Sequence, residues 1–103
     1  MAERMTGGLS DPDQVTSEVR DIANQVKSQL EEKANAKYSY FEAVSFRKQV
    51  VAGTNYFIKV RHGDGERDYT HLRVFQALPC HGSRIELSNY LLGKTKDDPI
   101  TSF

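Results

Sequence analysis

Among the side chains that could act as nucleophile, base or metal ligand, Cys80, the chain's one cysteine, and its three histidines, His62, His71 and His81, are the first to weigh. A cysteine and a histidine together make the thiolate–imidazole pair of many hydrolases. Cys80 and His81 are adjacent, however, and neighbouring residues in an extended segment point to opposite sides, which argues against a direct dyad. Nothing in the spacing favours His62 or His71 as the base instead. Nor does any pair of the four show a spacing typical of a zinc site. We therefore expect no catalytic residue, no metal and no cofactor. Cys80 reads as an exposed loop thiol open to dimerisation or glutathionylation, His62 as a turn residue beside Gly63, and His71 as a strand residue. Turnover abolished by Cys80→Ser would restore the enzyme reading.

A more informative segment is Gln49-Val50-Val51-Ala52-Gly53, followed by Thr54-Asn55-Tyr56-Phe57. A small, apolar, uncharged stretch lies where two strand-like runs must reverse direction. Hairpin tips ordinarily use Asn, Asp, Gly or Pro, and exposed Val-Val-Ala is a liability unless something covers it. Gly53 is suited to a positive φ or to close approach of a neighbouring backbone. Periodicity alone leaves a second reading open, a single strand running on through a glycine bulge.

The elements that would carry these residues are legible. The first dozen residues are polar and glycine-bearing, with Gly7-Gly8 ahead of Ser10, Asp11 and Pro12, and read as a flexible arm. Val15, Val19, Ile22, Val26 and Leu30 then recur at helical spacing and define one apolar stripe. Ser10 or Asp13 is suited to cap the start of this helix, and Glu31-Glu32-Lys33 with Asn35 marks its end. Four runs of strand composition follow, Tyr38 to Val51, Thr54 to Arg61, Tyr69 to Leu78 and Ile85 to Leu92. His62-Gly63-Asp64-Gly65 is a strong turn signal and Pro79 to Ser83 a looser one. Tyr56, Ile58 and Val60 share a face, opposed by Asn55, Phe57, Lys59 and Arg61. Leu72 and Val74 share a face, opposed by His71, Arg73 and Phe75. Such alternation predicts a sheet with one packed face and one partly wet face. The fold class is α+β: one long helix packed on an antiparallel β-sheet, in a single domain spanning 1–103 with 1–12 as the arm. The charged run Lys94 to Asp98 reads as a solvated loop, and Asp64, Glu66, Arg67 and Asp68 as residues that solvate a turn.

Composition bounds the partners. In 103 residues, 14 Lys and Arg balance 14 Asp and Glu, so net charge supplies no argument for nucleic acid or an anionic membrane. No apolar run approaches the ~20 residues of a membrane span, and the first residues contain no apolar core of a signal peptide. A single cysteine rules out an internal disulfide, which suits a reducing compartment. The cytoplasm is the expected location.

Gln49-Val50-Val51-Ala52-Gly53 matches residue by residue the Gln-x-Val-x-Gly signature of the cystatins, and Thr54 to Val60 is similar to its stefin continuation. Three further stretches match in order. Gly7-Gly8-Leu9-Ser10 resembles the stefin arm, Gln29 to Lys33 the end of the stefin helix, and Leu72 to Pro79 the strand entering the second stefin hairpin. Thr101-Ser102-Phe103 is close to the usual ending. With no tryptophan and one cysteine, the chain resembles the intracellular stefin (type 1 cystatin) branch, not the disulfide-bearing secreted one. Cys80 and His81 are not hallmarks of the family.

The resemblance implies a reversible, tight-binding, non-covalent inhibitor of papain-like cysteine proteases, papain and the lysosomal cathepsins among them, and not an enzyme. It implies that Gly7 and Gly8 of the arm, Gln49, Val50, Val51, Ala52 and Gly53 of the first hairpin, and Leu78, Pro79, Cys80 and His81 of the second form one edge that fills the protease cleft. A bulky residue at Gly53 or Gly7 would then weaken inhibition while the fold survives. A cystatin-fold scaffold without inhibitory activity is the competing reading. The chain is expected to be mainly a monomer. Straightening the hairpin at Val51 would let two chains exchange helix and first strand in an inactive, domain-swapped dimer.

Overall fold

The computed structural model describes residues 9–77, 84–101 and 103. The described elements run α1 (Ser17–Ala34), β1 (Glu42–Val51), β2 (Gly53–Arg61), β3 (Tyr69–Gln76) and β4 (Ile85–Lys94). The strands form a four-stranded antiparallel meander in the order β1-β2-β3-β4. The expected α+β architecture is the one observed. Among the described residues no helix is long and apolar enough to cross a membrane.

Of the stripe read from its periodicity, the helix buries Val19, Ile22, Val26 and Leu30, each at most 2% exposed, whereas Val15 precedes α1 and packs part-buried against the same core. Burial of each contributes about 1.5–3 kcal/mol. They pack on Phe46, Tyr56, Ile58, Val60, Leu72, Val74 and Leu87, which alternate along the four strands and share the inner face. Polar ties fix the helix in place. Gln29 Oε1 accepts the Leu87 N–H (3.0 Å), Lys33 O accepts the Tyr90 hydroxyl (3.1 Å), and Glu31 Oε2 accepts the Tyr38 N–H (2.8 Å). At the C-terminus Asn35 adopts the left-handed conformation (φ 54°) and its N–H returns to Glu31 O, the usual way to satisfy a terminal carbonyl.

The N-cap differs from expectation. It is Thr16, whose Oγ1 accepts the Val19 N–H at 3.2 Å. Ser10 and Asp13 are engaged elsewhere. The Ser10 N–H donates to Lys48 O (2.8 Å), and Asp13 exchanges backbone bonds with Phe46 in both directions (3.0 and 3.2 Å). An unpaired strand edge attracts any extended segment within reach, and residues 10–13 satisfy the open edge of β1.

The outer face of the sheet departs further from the sequence reading. Instead of being partly wet, the outer face of β2 is buried: Asn55 is 6% exposed, Phe57 1% and Lys59 7%. The chain after β4 folds back across it. The Phe103 ring meets Phe57 edge-on at 5.6 Å and Ile100 is buried. Three cations donate to carbonyls of this return segment: Arg47 Nη1 to Ile100 O (2.6 Å), Lys59 Nζ to Lys96 O (2.6 Å) and Arg73 Nη1 to Phe103 O (2.9 Å). Instead of a solvated loop, the Lys94–Asp98 run closes β4 with Lys94 and continues as an ordered turn, in which Asp98 Oδ2 accepts the Thr95 N–H at 2.8 Å.

His71 lies in the same layer, 1% exposed. Among the described residues its Nε2 has no hydrogen-bond partner. Burial, and then the charges of Lys59 and Lys94, push the imidazole down to about 4 from its ordinary 6.5, against a weaker opposing pull from Asp98. The folded state thus holds His71 neutral where the unfolded chain would take up a proton. Its contribution to stability is complete above pH 6.5 and falls as pH drops from 6.5 towards 4, by up to roughly 3 kcal/mol. Denaturant unfolding at pH 7 and pH 4.5 should show that loss, and His71→Gln should flatten the slope.

Candidate functional site

Among the described residues no group of three His, Cys, Asp or Glu side chains is arranged to hold a metal ion. His62 follows β2, with its Nε2 3.0 Å from Thr70 Oγ1 and its ring 4.6 Å from that of Tyr38. Burial lowers its pKa. With His71 buried under the return segment, neither imidazole is presented at an open site.

The segment from Gln49 to Gly53 forms the turn between β1 and β2. The strands stay paired to the end, Gln49 with Asn55, Val50 with Thr54 and Val51 with Gly53, and Ala52 alone spans the reversal. The reading of a single strand running through a glycine bulge is thereby excluded. The tip is apolar and open, with Val50 61% and Val51 45% exposed and Ala52 also exposed.

The residues flanking the valines hold the tip in shape. Gln49 Oε1 accepts from Asn55 Nδ2 across the hairpin (3.0 Å), with Asn55 itself buried. Gly53 has φ +126°, a conformation L side chains rarely adopt, and a Cβ placed there would stand 2.7 Å from Gln76 O and 2.6 Å from the Phe75 ring. Both roles open to this glycine in the sequence are therefore filled at once. The aromatic ring and the carbonyl of β3 that press on it carry no signal in the sequence around Gly53, because they arrive through the β2–β3 register, Asn55 opposite Phe75 and Thr54 opposite Gln76.

The other expected site residues, Gly7, Gly8, Leu78, Pro79, Cys80 and His81, lie outside the described residues. Their described neighbours all border this end of the sheet. Ser10 lies along β1 beside Lys48, held by its N–H to Lys48 O (2.8 Å), the Lys48 N–H to its Oγ (3.0 Å) and Arg47 Nε to its carbonyl (2.8 Å). On the far side, β3 ends at Gln76 opposite Thr54, and the Ala77 N–H donates to Arg84 O at 2.9 Å.

One helix on this four-stranded meander, with a Gln-Val-Val-Ala-Gly hairpin at its end, is the arrangement of a cystatin. Residues 7–97 match the family described as Cystatin domain. The chain belongs to the cystatin family, on its stefin branch. It is similar to Leukocyte cysteine proteinase inhibitor 1 of Sus scrofa, 52% identical over 98% of this chain and 96% of that protein. Cystatin-B of Homo sapiens is 54% identical over 96% of this chain and 99% of its own length. Cystatin-A1 of Sus scrofa is 50% identical over 96% and 94% respectively.

The packing around Gly53 revises one expectation, that a larger residue there would leave the fold intact. The left-handed φ and the rigid Gln76 carbonyl make even Gly53→Ala costly, by about 1–3 kcal/mol. A lowered thermal midpoint for Gly53→Ala in the isolated protein is the expected result, and an unchanged midpoint would show that the hairpin relaxes freely.

Proposed function

We propose that this protein is a reversible, non-covalent inhibitor of papain-like cysteine proteases and not an enzyme. The observation that carries the reading is the paired, apolar tip. Val50 and Val51 are held exposed on a hairpin whose backbone bonds continue to the turn, braced by Gln49–Asn55 and by Gly53 against Phe75. Exposed valines on a preformed element lose little conformational entropy on docking. Their burial in a cleft contributes about 1.5–3 kcal/mol each. The tip offers no activated group for attack, so occupancy of the cleft is itself the inhibition. The names of the relatives, a leukocyte cysteine proteinase inhibitor and the cystatins, support the same partner class.

In this reading Gln49 to Gly53 enters the cleft centrally, Gly7 and Gly8 flank it on the β1 side, and Leu78, Pro79, Cys80 and His81 flank it on the β3 side. The positions of Ser10, Ala77 and Arg84 beside the tip support the three-part edge. The monomer is the active form, working in the cytoplasm. A dimer that exchanged α1 and β1 by straightening at Val51 would remove the tip and be inactive.

Titration against papain tests the proposal. We expect stoichiometric, reversible inhibition. Val50→Asp, which sets a charge on an exposed position, should weaken inhibition at least tenfold, as burial of an unpaired charge requires, and leave the unfolding free energy within about 0.5 kcal/mol of the parent. Full inhibition by Val50→Asp, or none by the parent chain, would overturn it.

A further inference from the structure

The outer face of the sheet carries cations that the protease-directed tip does not use. At the end remote from Val51–Gly53, a cavity of about 570 Å³ is lined by Val44, Ser45, Lys59, Arg61, Tyr69 and Lys96. Among the described residues no carboxylate lines it, while Asp64, Glu66 and Asp97 line the neighbouring pocket that shares Arg61, Tyr69 and Lys96. Arg61 is eight residues along β2 from Gly53, roughly 26 Å at strand rise. The lining follows from register, with Ser45 opposite Lys59 and Arg61 opposite Tyr69, so side chains from β1, β2 and β3 converge with Lys96 of the return segment.

Lys59 is the unusual member. It is 7% exposed, a degree of burial seldom accepted by a lysine without a matched charge. An ammonium has three N–H donors. Among the described residues one of them is spent, on Lys96 O. Burial lowers its pKa, against a smaller opposing pull from Asp98 and Asp97. Lys59 thus bears a desolvation cost that a bound negative group would offset. Arg61 commits Nε to Gly63 O (2.9 Å) and Nη2 to Asp64 (2.8 Å), but Asp64 is fully exposed, and an exposed ion pair of this kind is worth little. Lys96 is exposed at the rim. Ser45 and Tyr69, each carrying a hydroxyl donor, line the same space.

We propose that this cavity is a binding site for a tetrahedral oxyanion, a phosphate group, with Lys59 as the desolvated anchor, Arg61 and Lys96 as flanking cations, and Ser45 and Tyr69 as neutral donors. Charge-assisted hydrogen bonds from several directions are what such a group requires. The cavity is of ligand-binding size, large enough for a phosphate carried on a small organic molecule as well as for the free ion. The site is independent of protease inhibition, since it shares no residue with the tip.

Amide chemical shifts of the full chain, followed on titration with inorganic phosphate at an ionic strength held constant with sodium chloride, test the site. We expect saturable shifts at residues 45, 59, 61, 69 and 96. Lys59→Met should weaken binding roughly tenfold, the loss of one buried charge-assisted bond. Because Lys59 is buried, the exposed Lys96→Gln serves as the second variant, with a loss of roughly threefold and an otherwise unchanged spectrum. Phenyl phosphate separates the two sources of the group. Tighter binding than inorganic phosphate marks a phosphomonoester as the occupant, and equal or weaker binding marks the free anion; either supports the site. Shifts that stay linear in phosphate, or parental affinity in both variants, would overturn the proposal.

Discussion

Burial of β2 on both faces holds the molecule together. Its inner side chains Tyr56, Ile58 and Val60 meet the helix layer, while Phe57 and Lys59 lie under the return segment that ends at Phe103. A small domain has a thin core and few residues to spare for it. This chain doubles its use of one strand, placing a second, smaller apolar contact where a helix-on-sheet protein usually meets water. The tip is the start of that same strand, so the rigidity of Gly53 and its neighbours is inherited from the packing of Phe57, Ile58 and Val60.

The five-residue signature divides by physical role. Gln49 and Gly53 face the protein's own structure, one through a side-chain bond to Asn55 and the other through absence of a side chain against Phe75 and Gln76. Val50, Val51 and Ala52 face outward. Two exposed valines in a flexible loop would collapse onto the nearest apolar surface. On a hairpin paired to its last residue they cannot, and the apolar surface stays available for a partner.

Charge is arranged in a way that an equal count of acids and bases conceals. Arg47, Arg73 and Lys59 sit on the outer face, where each donates to a carbonyl of the return segment and not to a carboxylate. Burial, reinforced by the charges of Lys59 and Lys94, opposes a proton on His71. The buried imidazole therefore stays neutral, and the layer becomes acid-sensitive. Backbone carbonyls serve as the counterparts because the last residues of the chain supply them at the right height above the sheet, whereas the acidic residues of the helix lie on the opposite layer.

Much of this was legible in the residues themselves. The 3.6-residue recurrence from Val19 to Leu30 determined the helix and its buried stripe, since only one face of a helix can meet one layer. The alternation through Tyr56, Ile58 and Val60 separated the two faces of β2, while the packing decided which of them meets that stripe; the ordered run of motifs determined the family. Local patterns could not show which segments meet across the fold. The use of Ser10 and Asp13 to close the edge of β1, which left the cap to Thr16, depended on where that edge lies. The cover over Phe57 depended on the path of the last eight residues, and the convergence of Lys59, Arg61, Tyr69 and Lys96 on the register of three strands. Periodicity is a property of neighbours along the chain and is written in the sequence; contacts between distant segments depend on the geometry that all the elements adopt together, and only the tertiary structure decides them.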